Sequence, residues 1–291
     1  MPKLLIMYIC LMMNKKIEKI GVIGCGWLGL PLAIELINKG YYVKGTTTTR
    51  EKLTTLSSHQ IDPFLVQLNP ALIGDDLKTF FNVDLLIINI PPKRNQSLAN
   101  DYLDKMSNIA VAIKDSSISK IIFVSSTSVY PEDKMVVTEE TEIDINSSSA
   151  ISLYNAEEIF RNLENVETTV IRMAGLIGPN RHPGRFFAGK ENIPNGLASV
   201  NLIHLDDCIG IIQMVIEKEI WGETFNGASP SHPTKAEFYN LASNRFNQTS
   251  AKFIAEEKEF KIVSSEKLIE KYSYQFKIPN LLKWLLQTPQ N

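Results

Sequence analysis

The amino-acid sequence predicts an α/β fold, a doubly wound parallel sheet followed by a smaller C-terminal substrate-binding region. Three observations carry that expectation. Runs rich in β-branched residues alternate with segments of helical periodicity; one run, Leu85 to Ile90, is apolar almost throughout, as strands covered on both faces are; and a glycine turn joins the first run to the first helical segment. The 291 residues suit one large α/β unit or two domains sharing an interface, at roughly 150 residues per domain. Hydrophobic residues make up 44% of the chain and charged residues 21%, which excludes a disordered or fibrous protein. No run of about 20 apolar residues marks a membrane span. Lysine and arginine number 30 against 32 acidic residues, a formal charge of −2, so nucleic acid and anionic membrane lose their electrostatic basis as main partners. Any anion must be held locally.

The elements follow in order. Residues 1–16 read as a mis-called or disordered N-terminal extension. MPKLLIMYICLMM has the apolar core of a signal peptide, yet no small-residue cleavage site follows, and Met13 is the expected initiator. Ile17 to Ile23 is a strand, and after the turn Leu30, Ala33, Ile34 and Ile37 recur at helical spacing until Gly40 closes the helix. Tyr41 to Thr47, Phe64 to Leu68 and Leu85 to Ile90 are the next strands. Asp101 to Lys114 is a helix, Ile121 to Ser125 a strand, Tyr154 to Leu163 a helix and Thr168 to Arg172 a strand. This βαβαβ alternation implies right-handed crossovers and a Rossmann-type domain over residues 17–177. Residues 178–291 change to Gly- and Pro-rich loops, a strand-like Val200 to Leu205 and a helix Asp207 to Lys218, and read as the smaller substrate-binding region.

Gly24-x-Gly26-x-x-Gly29 follows a strand and opens a helix, the context that makes this pattern informative. Gly24 permits the tight turn, Gly26 lets backbone approach a diphosphate, and Gly29 allows close helix-to-strand packing, with Trp27 and Leu28 completing the loop. Free amides and the positive end of the helix dipole would hold the phosphates without a basic side chain. A site for NAD usually carries Asp or Glu after the second strand, about 20 residues on, to bond the ribose 2′-hydroxyl. Here Thr46 to Thr49 and Arg50 precede the first carboxylate, Glu51, so Thr47 and Arg50 are expected to meet an adenosine 2′-phosphate and NADP is expected over NAD. The alternative is that Arg50 begins a solvated helix. Pro91, after the fourth strand, stands where the switch-point rule puts the cofactor crevice. Lys93 and Arg94 follow, as a solvated loop or as phosphate contacts.

Phe123-Val124-Ser125-Ser126-Thr127-Ser128-Val129-Tyr130-Pro131 resembles the extended short-chain dehydrogenase/reductase family, the group of NAD-dependent epimerases and dehydratases. Ile171 to Pro179, Asn201 to Asp207, Phe225-Asn226-Gly227 and Ser264 to Leu268 support the resemblance, which covers residues 17 to about 285. The short turn is most similar to the atypical branch of NAD(P)-dependent oxidoreductases. The resemblance implies hydride transfer with a nicotinamide cofactor, a Ser that orients the substrate oxygen, and a Tyr followed four residues later by Lys as proton donor. It also implies a homodimer through helices of the sheet layer, and makes Gln67 the counterpart of an acid directed at adenine. Ser126 matches the first role. Tyr154 is on the expected helix, but Glu158 stands where the lysine belongs; in the alternative register Ser149 and Leu153 take the Tyr and Lys places.

That departure leaves several readings open. One is an oxidoreductase acting on a carbonyl or hydroxyl of a small or sugar-nucleotide-like substrate, with Ser126 and Tyr154, or Tyr130 in the place of Tyr154, as catalytic residues. Another is an epimerase or dehydratase that holds its cofactor tightly. The last is a non-catalytic NADP-binding sensor or partner-binding protein. Tyr130 reads as packing at a strand end. Arg181 and Arg185, with His182 between them on Gly- and Pro-constrained backbone, are candidates to clamp an anionic substrate group, against the reading of an exposed polar loop. His204 reads as a satisfied core histidine, and Asp206 or Asp207 as the cap of the next helix. Cys10, Cys25 and Cys208 form neither a disulfide framework nor a zinc pattern, no metal is expected, and a reducing cytoplasm fits.

Overall fold

The structure, a computed structural model, describes residues 16–92 and 99–288; the expected initiator Met13, Cys10, Lys93 and Arg94 lie outside the described residues. An eight-stranded sheet organises the chain. In chain order its strands are β1 (Lys19–Ile23), β2 (Tyr42–Thr47), β3 (Asp62–Leu68), β4 (Leu72–Gly74), β5 (Leu85–Ile88), β6 (Lys120–Ser126), β8 (Glu167–Met173) and β11 (Thr224–Gly227), and across the sheet they run β11-β8-β6-β5-β1-β2-β3-β4. β1 pairs in parallel with both β2 and β5, β2 with β3, β5 with β6, and β11 with β8, whereas β4 lies antiparallel on the edge of β3. The Rossmann-type α/β architecture expected from the alternation is therefore present. The strand order reverses direction between β1 and β5, and that switch point is where open sheets of this type bind ligands.

Two compact units form, and the chain passes between them several times. The first holds residues up to Ile90, Asp101–Phe123 and Ile159–Thr168; the second holds Val124–Glu158 and Thr169 onward. The sequence reading puts a single break after residue 177. The interleaving arises because β6, β8 and the helix between them each start in one unit and end in the other.

In the first unit β1 carries the burial pattern of an inner strand, and β5 is buried at all four positions. The helix after the glycine turn, α1 (Gly29–Asn38), buries Gly29, Leu32, Ala33 and Leu36. That stripe is offset from the expected Leu30, Ala33, Ile34 and Ile37, because the docking face is set by the tight seat of Gly29. Gly40, at φ +89°, ends the helix as expected, its amide bonding Ile37 O at 2.8 Å. α2 (Lys52–Ser58), a short α3 (Leu77–Phe80) and α4 (Ala99–Lys114) complete the layer, with Met106 and Ile109 fully buried. Buried Asp84 accepts the amides of Glu18 and Lys19 at 3.0 and 2.9 Å, fixing the start of β1.

In the second unit α5 (Ser148–Arg161) starts six residues before the expected Tyr154, with the Ser147 hydroxyl accepting the Ala150 amide at 3.3 Å. Two small parallel ribbons also form. β9 (Gly175–Ile177) pairs with β10 (Leu202–His204), and β7 (Asp133–Val137) with β12 (Phe260–Val263). Of these four strands only β10, within the strand-like Val200 to Leu205, is expected from the sequence. α6 (Leu205–Glu217), α7 (Lys235–Arg245) and α8 (Leu281–Gln287) follow. A core packs the β9–β10 ribbon against α7 and α8, gathering Ile177, Val200, Leu202, Phe238, Leu281 and Leu285. α6 is capped by His204, whose Nδ1 accepts the Asp206 amide at 3.2 Å, which corrects the expectation of an aspartate cap. Asp207 instead lies fully buried within the first turn, accepting the Lys277 and Ile278 amides at 2.7 and 3.0 Å and the Tyr274 hydroxyl at 3.1 Å. No helix among the described residues is long and apolar enough to cross a membrane.

Candidate functional site

The glycine turn leaves β1 at the switch point. Gly24 has φ +95°, a conformation that favours glycine, and a Cβ there would stand 2.5 Å from Asn89 O. The amide of Gly24 donates to Thr46 Oγ1 at 3.0 Å, that of Cys25 to Thr46 O at 3.0 Å, and Asn89 Nδ2 donates back to Gly24 O at 3.3 Å. The ends of β1, β2 and β5 are thereby tied into one loop. Gly29 is seated so closely that a Cβ would lie 2.1 Å from Gly24 O, whereas Gly26 is exposed and a Cβ there would meet nothing within 4 Å. Gly24 thus makes the turn and Gly29 the close packing, while the space beside Gly26 is open. Leu28 is 2% exposed, so only its backbone is available to a ligand, and Trp27 is half-buried. Cys25 is buried beneath the turn, and burial pushes its thiol up to about 12.

At the end of β2 the hydroxyls are not equivalent. Thr46 serves the turn, and Thr47, also buried, accepts the Thr49 amide at 3.2 Å. Arg50 is exposed in the turn that precedes α2, whose cap is Glu51, and its carbonyl accepts the Leu53 amide at 3.1 Å. Gln67 is exposed on β3 and pairs with Ile73 of β4. Pro91 is exposed after Ile90, whose carbonyl accepts the Tyr102 hydroxyl at 3.3 Å.

In the second unit Ser126 ends β6, half-exposed, and its hydroxyl accepts the Ser128 amide at 3.2 Å, capping the short turn Thr127–Val129. Tyr154 is half-buried on α5, and Glu158 is half-buried one turn on. In the other register Ser149 is exposed and Leu153 buried, so neither alignment supplies a lysine. Tyr130 is 1% exposed, as a packing residue should be, but its hydroxyl also donates to Asn226 Oδ1 and accepts from Arg172 Nη1, both at 2.8 Å. Burial raises its pKa despite the guanidinium beside it.

Arg172 and Glu157 form a buried bidentate pair, Nε to Oε1 at 3.0 Å and Nη2 to Oε2 at 2.7 Å, and Ser125 Oγ donates to Glu157 Oε1 at 2.6 Å. Burial alone would lower the Arg172 pKa; the bonds from Glu157 and Tyr130 reverse that and raise it, so the guanidinium stays charged. Sequence reasoning missed this network. A signal existed in two charges set into apolar stripes: Glu157 among Leu153, Ala156 and Phe160, and Arg172 within β8.

Arg181 is half-buried and Arg185 exposed on the turn Pro183–Arg185. His182 between them accepts the Gly184 amide through Nδ1 at 3.1 Å, and its Nε2 is buried without a partner. Burial, then Arg185, lowers its pKa to about 4. His204 is buried as expected.

The parallel sheet, its switch point and the glycine cradle define a Rossmann-type α/β protein. More narrowly, residues 21–227 match the NAD dependent epimerase/dehydratase family, and the chain belongs to that family. It is 32% identical over 269 residues to protein YeeZ of Escherichia coli strain K12, covering 91% of this chain and 98% of that protein. Among solved structures, a short-chain dehydrogenase/reductase superfamily protein of Agrobacterium tumefaciens with bound NAD superposes with a TM-score of 0.75 at 15% identity, over 92% of this chain and 95% of that one. A UDP-glucuronic acid 4-epimerase of Bacillus cereus in complex with NAD gives a TM-score of 0.73 at 18% identity, over 92% and 97%.

Proposed function

We propose that this protein is a nicotinamide-dinucleotide-dependent oxidoreductase of the extended short-chain type, acting on a carbonyl or hydroxyl of a small or sugar-nucleotide-like substrate. The observation that carries this reading is the cradle at Gly24–Gly29. It has open space at Gly26, a backbone held on both flanks, and the first turn of α1 following it, so that helix polarity favours an anion there. A cofactor diphosphate would be held by the backbone from Gly26 through Trp27 and Leu28 to Gly29, with Gln67 and Pro91 as further contacts. Arg50 favours NADP, since it is exposed and precedes the first carboxylate after β2, whereas the Thr47 hydroxyl is engaged by its own turn and adds no support. When bound, the nicotinamide supplies or accepts the hydride.

The chain's own residues supply the rest. The Ser126 hydroxyl orients the substrate oxygen, and the Tyr154 phenol exchanges a proton with it. Arg181 and Arg185 offer cationic donors to an anionic substrate group. A homodimer and a cytoplasmic location belong to the same reading. The family match and the Bacillus cereus epimerase support a second form of it, in which hydride is removed and returned within one cycle on a nucleotide sugar. The absent lysine favours a third, a cofactor-bound sensor without turnover.

Calorimetry on ligand-stripped protein with NADPH and NADH, followed by a panel of carbonyls and nucleotide sugars, tests these readings. Binding of both cofactors, tighter for NADPH, with turnover of a panel member, is expected. No heat with either overturns the proposal, and tighter NADH binding overturns the NADP preference. Cofactor that survives gel filtration favours the epimerase, and binding without turnover favours the sensor.

A further inference from the structure

Ser125 and Ser126 are consecutive on β6, so their side chains leave opposite faces of the strand; Ser125 is buried and Ser126 half-exposed. The Ser125 hydroxyl donates to Glu157 at 2.6 Å. Glu157 lies three residues beyond Tyr154 on α5, a spacing that places the two one above the other on the same side of the helix. One buried hydrogen bond therefore joins the neighbour of Ser126 to the helical turn of Tyr154. Arg172 holds the carboxylate with two further bonds and reaches Tyr130, which Asn226 secures in turn. The segment carrying Ser126 is thus anchored at both ends, at Ser125 by Glu157 and at Tyr130 by Arg172.

A buried, bidentate ion pair adds little stability over an apolar pair of similar volume, but its directional bonds admit one geometry where apolar packing admits several. We propose that Glu157, clamped by Arg172, is a positioning residue that sets the register between Ser126 and Tyr154. The inference rests on the function proposed above, in which those two side chains handle the substrate oxygen.

Two variants and two measurements test it. S125A removes one hydroxyl and leaves the Glu157–Arg172 pair intact, whereas E157Q keeps the side-chain shape and removes the charge. In protein carrying ζ-¹³C tyrosine, the Tyr154 resonance is assigned by its loss in Y154F. Both variants are expected to shift or broaden it, while the resonance of Tyr42, which bonds Asp62 in the other unit, stays in place. A Tyr154 resonance unchanged in folded S125A overturns the inference, whether or not E157Q folds. In steady-state kinetics with NADPH and the panel compound turned over fastest, S125A is expected to lower kcat about tenfold and to change the NADPH KM by less than about twofold. S125T, which restores the hydroxyl, should recover most of that loss. An unchanged kcat in S125A, or a loss that S125T does not recover, overturns the inference. A parent protein that turns over nothing defeats the proposed function instead, and the tyrosine resonance then decides this inference alone.

Discussion

Alanine at Gly26 and alanine at Gly29 test the cradle in opposite ways. At Gly26 an added Cβ meets no heavy atom within 4 Å, and the residue lies outside the positive-φ region. G26A should therefore fold normally, with unfolding free energy changed by no more than about 0.5–1 kcal/mol and tilted toward stabilisation, because glycine's extra freedom in the unfolded chain is lost. At Gly29 the same methyl would stand 2.1 Å from Gly24 O and 3.0 Å from Gly24 C. The turn must then move by about 1 Å or more to restore ordinary contact, at a cost of roughly 1–3 kcal/mol. That corresponds to a melting temperature lower by about 2–5 °C for a chain of this size. Cofactor affinity should respond in the reverse order to stability. The G26A methyl occupies the space a diphosphate would enter, so NADPH should bind at least about tenfold more weakly, about 1.4 kcal/mol, in a protein that melts like the parent. Scanning calorimetry and titration calorimetry on the same samples give both quantities. Parent-like NADPH affinity in G26A would refute the assignment of the cradle, and a G29A melting point equal to the parent's would refute the packing argument.

Further expectations concern charge. R50A should weaken NADPH binding about tenfold and leave NADH binding within about twofold, because only the former offers a 2′-phosphate; equal losses would mean that Arg50 does not read that group. E157A strands the buried Arg172 charge and should cost about 3–5 kcal/mol by denaturant unfolding, with the paired E157M/R172M change recovering most of it. A loss under about 1 kcal/mol would contradict the buried pair. His182, with a folded pKa of about 4 against the usual 6.5, favours the neutral ring, so its contribution to stability is complete above pH 6.5 and is lost as pH falls toward 4. Between pH 7 and pH 5 that loss comes to about 2 kcal/mol, or about 1 after allowance for solvent screening at a half-buried site. H182N, which can still accept the Gly184 amide, should flatten the dependence, and an unchanged pH profile would remove His182 as its source.

The local parts of this protein are legible in its sequence. A β-branched run, three glycines at fixed spacing and a terminating Gly40 specify β1, the turn and α1 because each depends on residues a few positions away. The unbroken apolar run of β5 likewise announces a strand buried in a parallel sheet. Even so, the face on which α1 docks follows from the seat of Gly29 against Gly24 O, and the apolar spacing alone points one residue away from it. The buried network was beyond sequence reasoning for a related reason. Tyr130 and Asn226 lie 96 residues apart, and Ser125 and Glu157 lie 32 apart. A carboxylate on an apolar helix stripe and an arginine within a strand signal that partners exist without saying which. Asp207 shows the same limit, since its neighbourhood suggests a helix cap while its actual partners are amides 70 and 71 positions away. Short-range sterics and periodicity were enough for the elements and the glycine cradle. The choice among distant polar groups was made only when folding brought them together and burial left each requiring a hydrogen-bond partner.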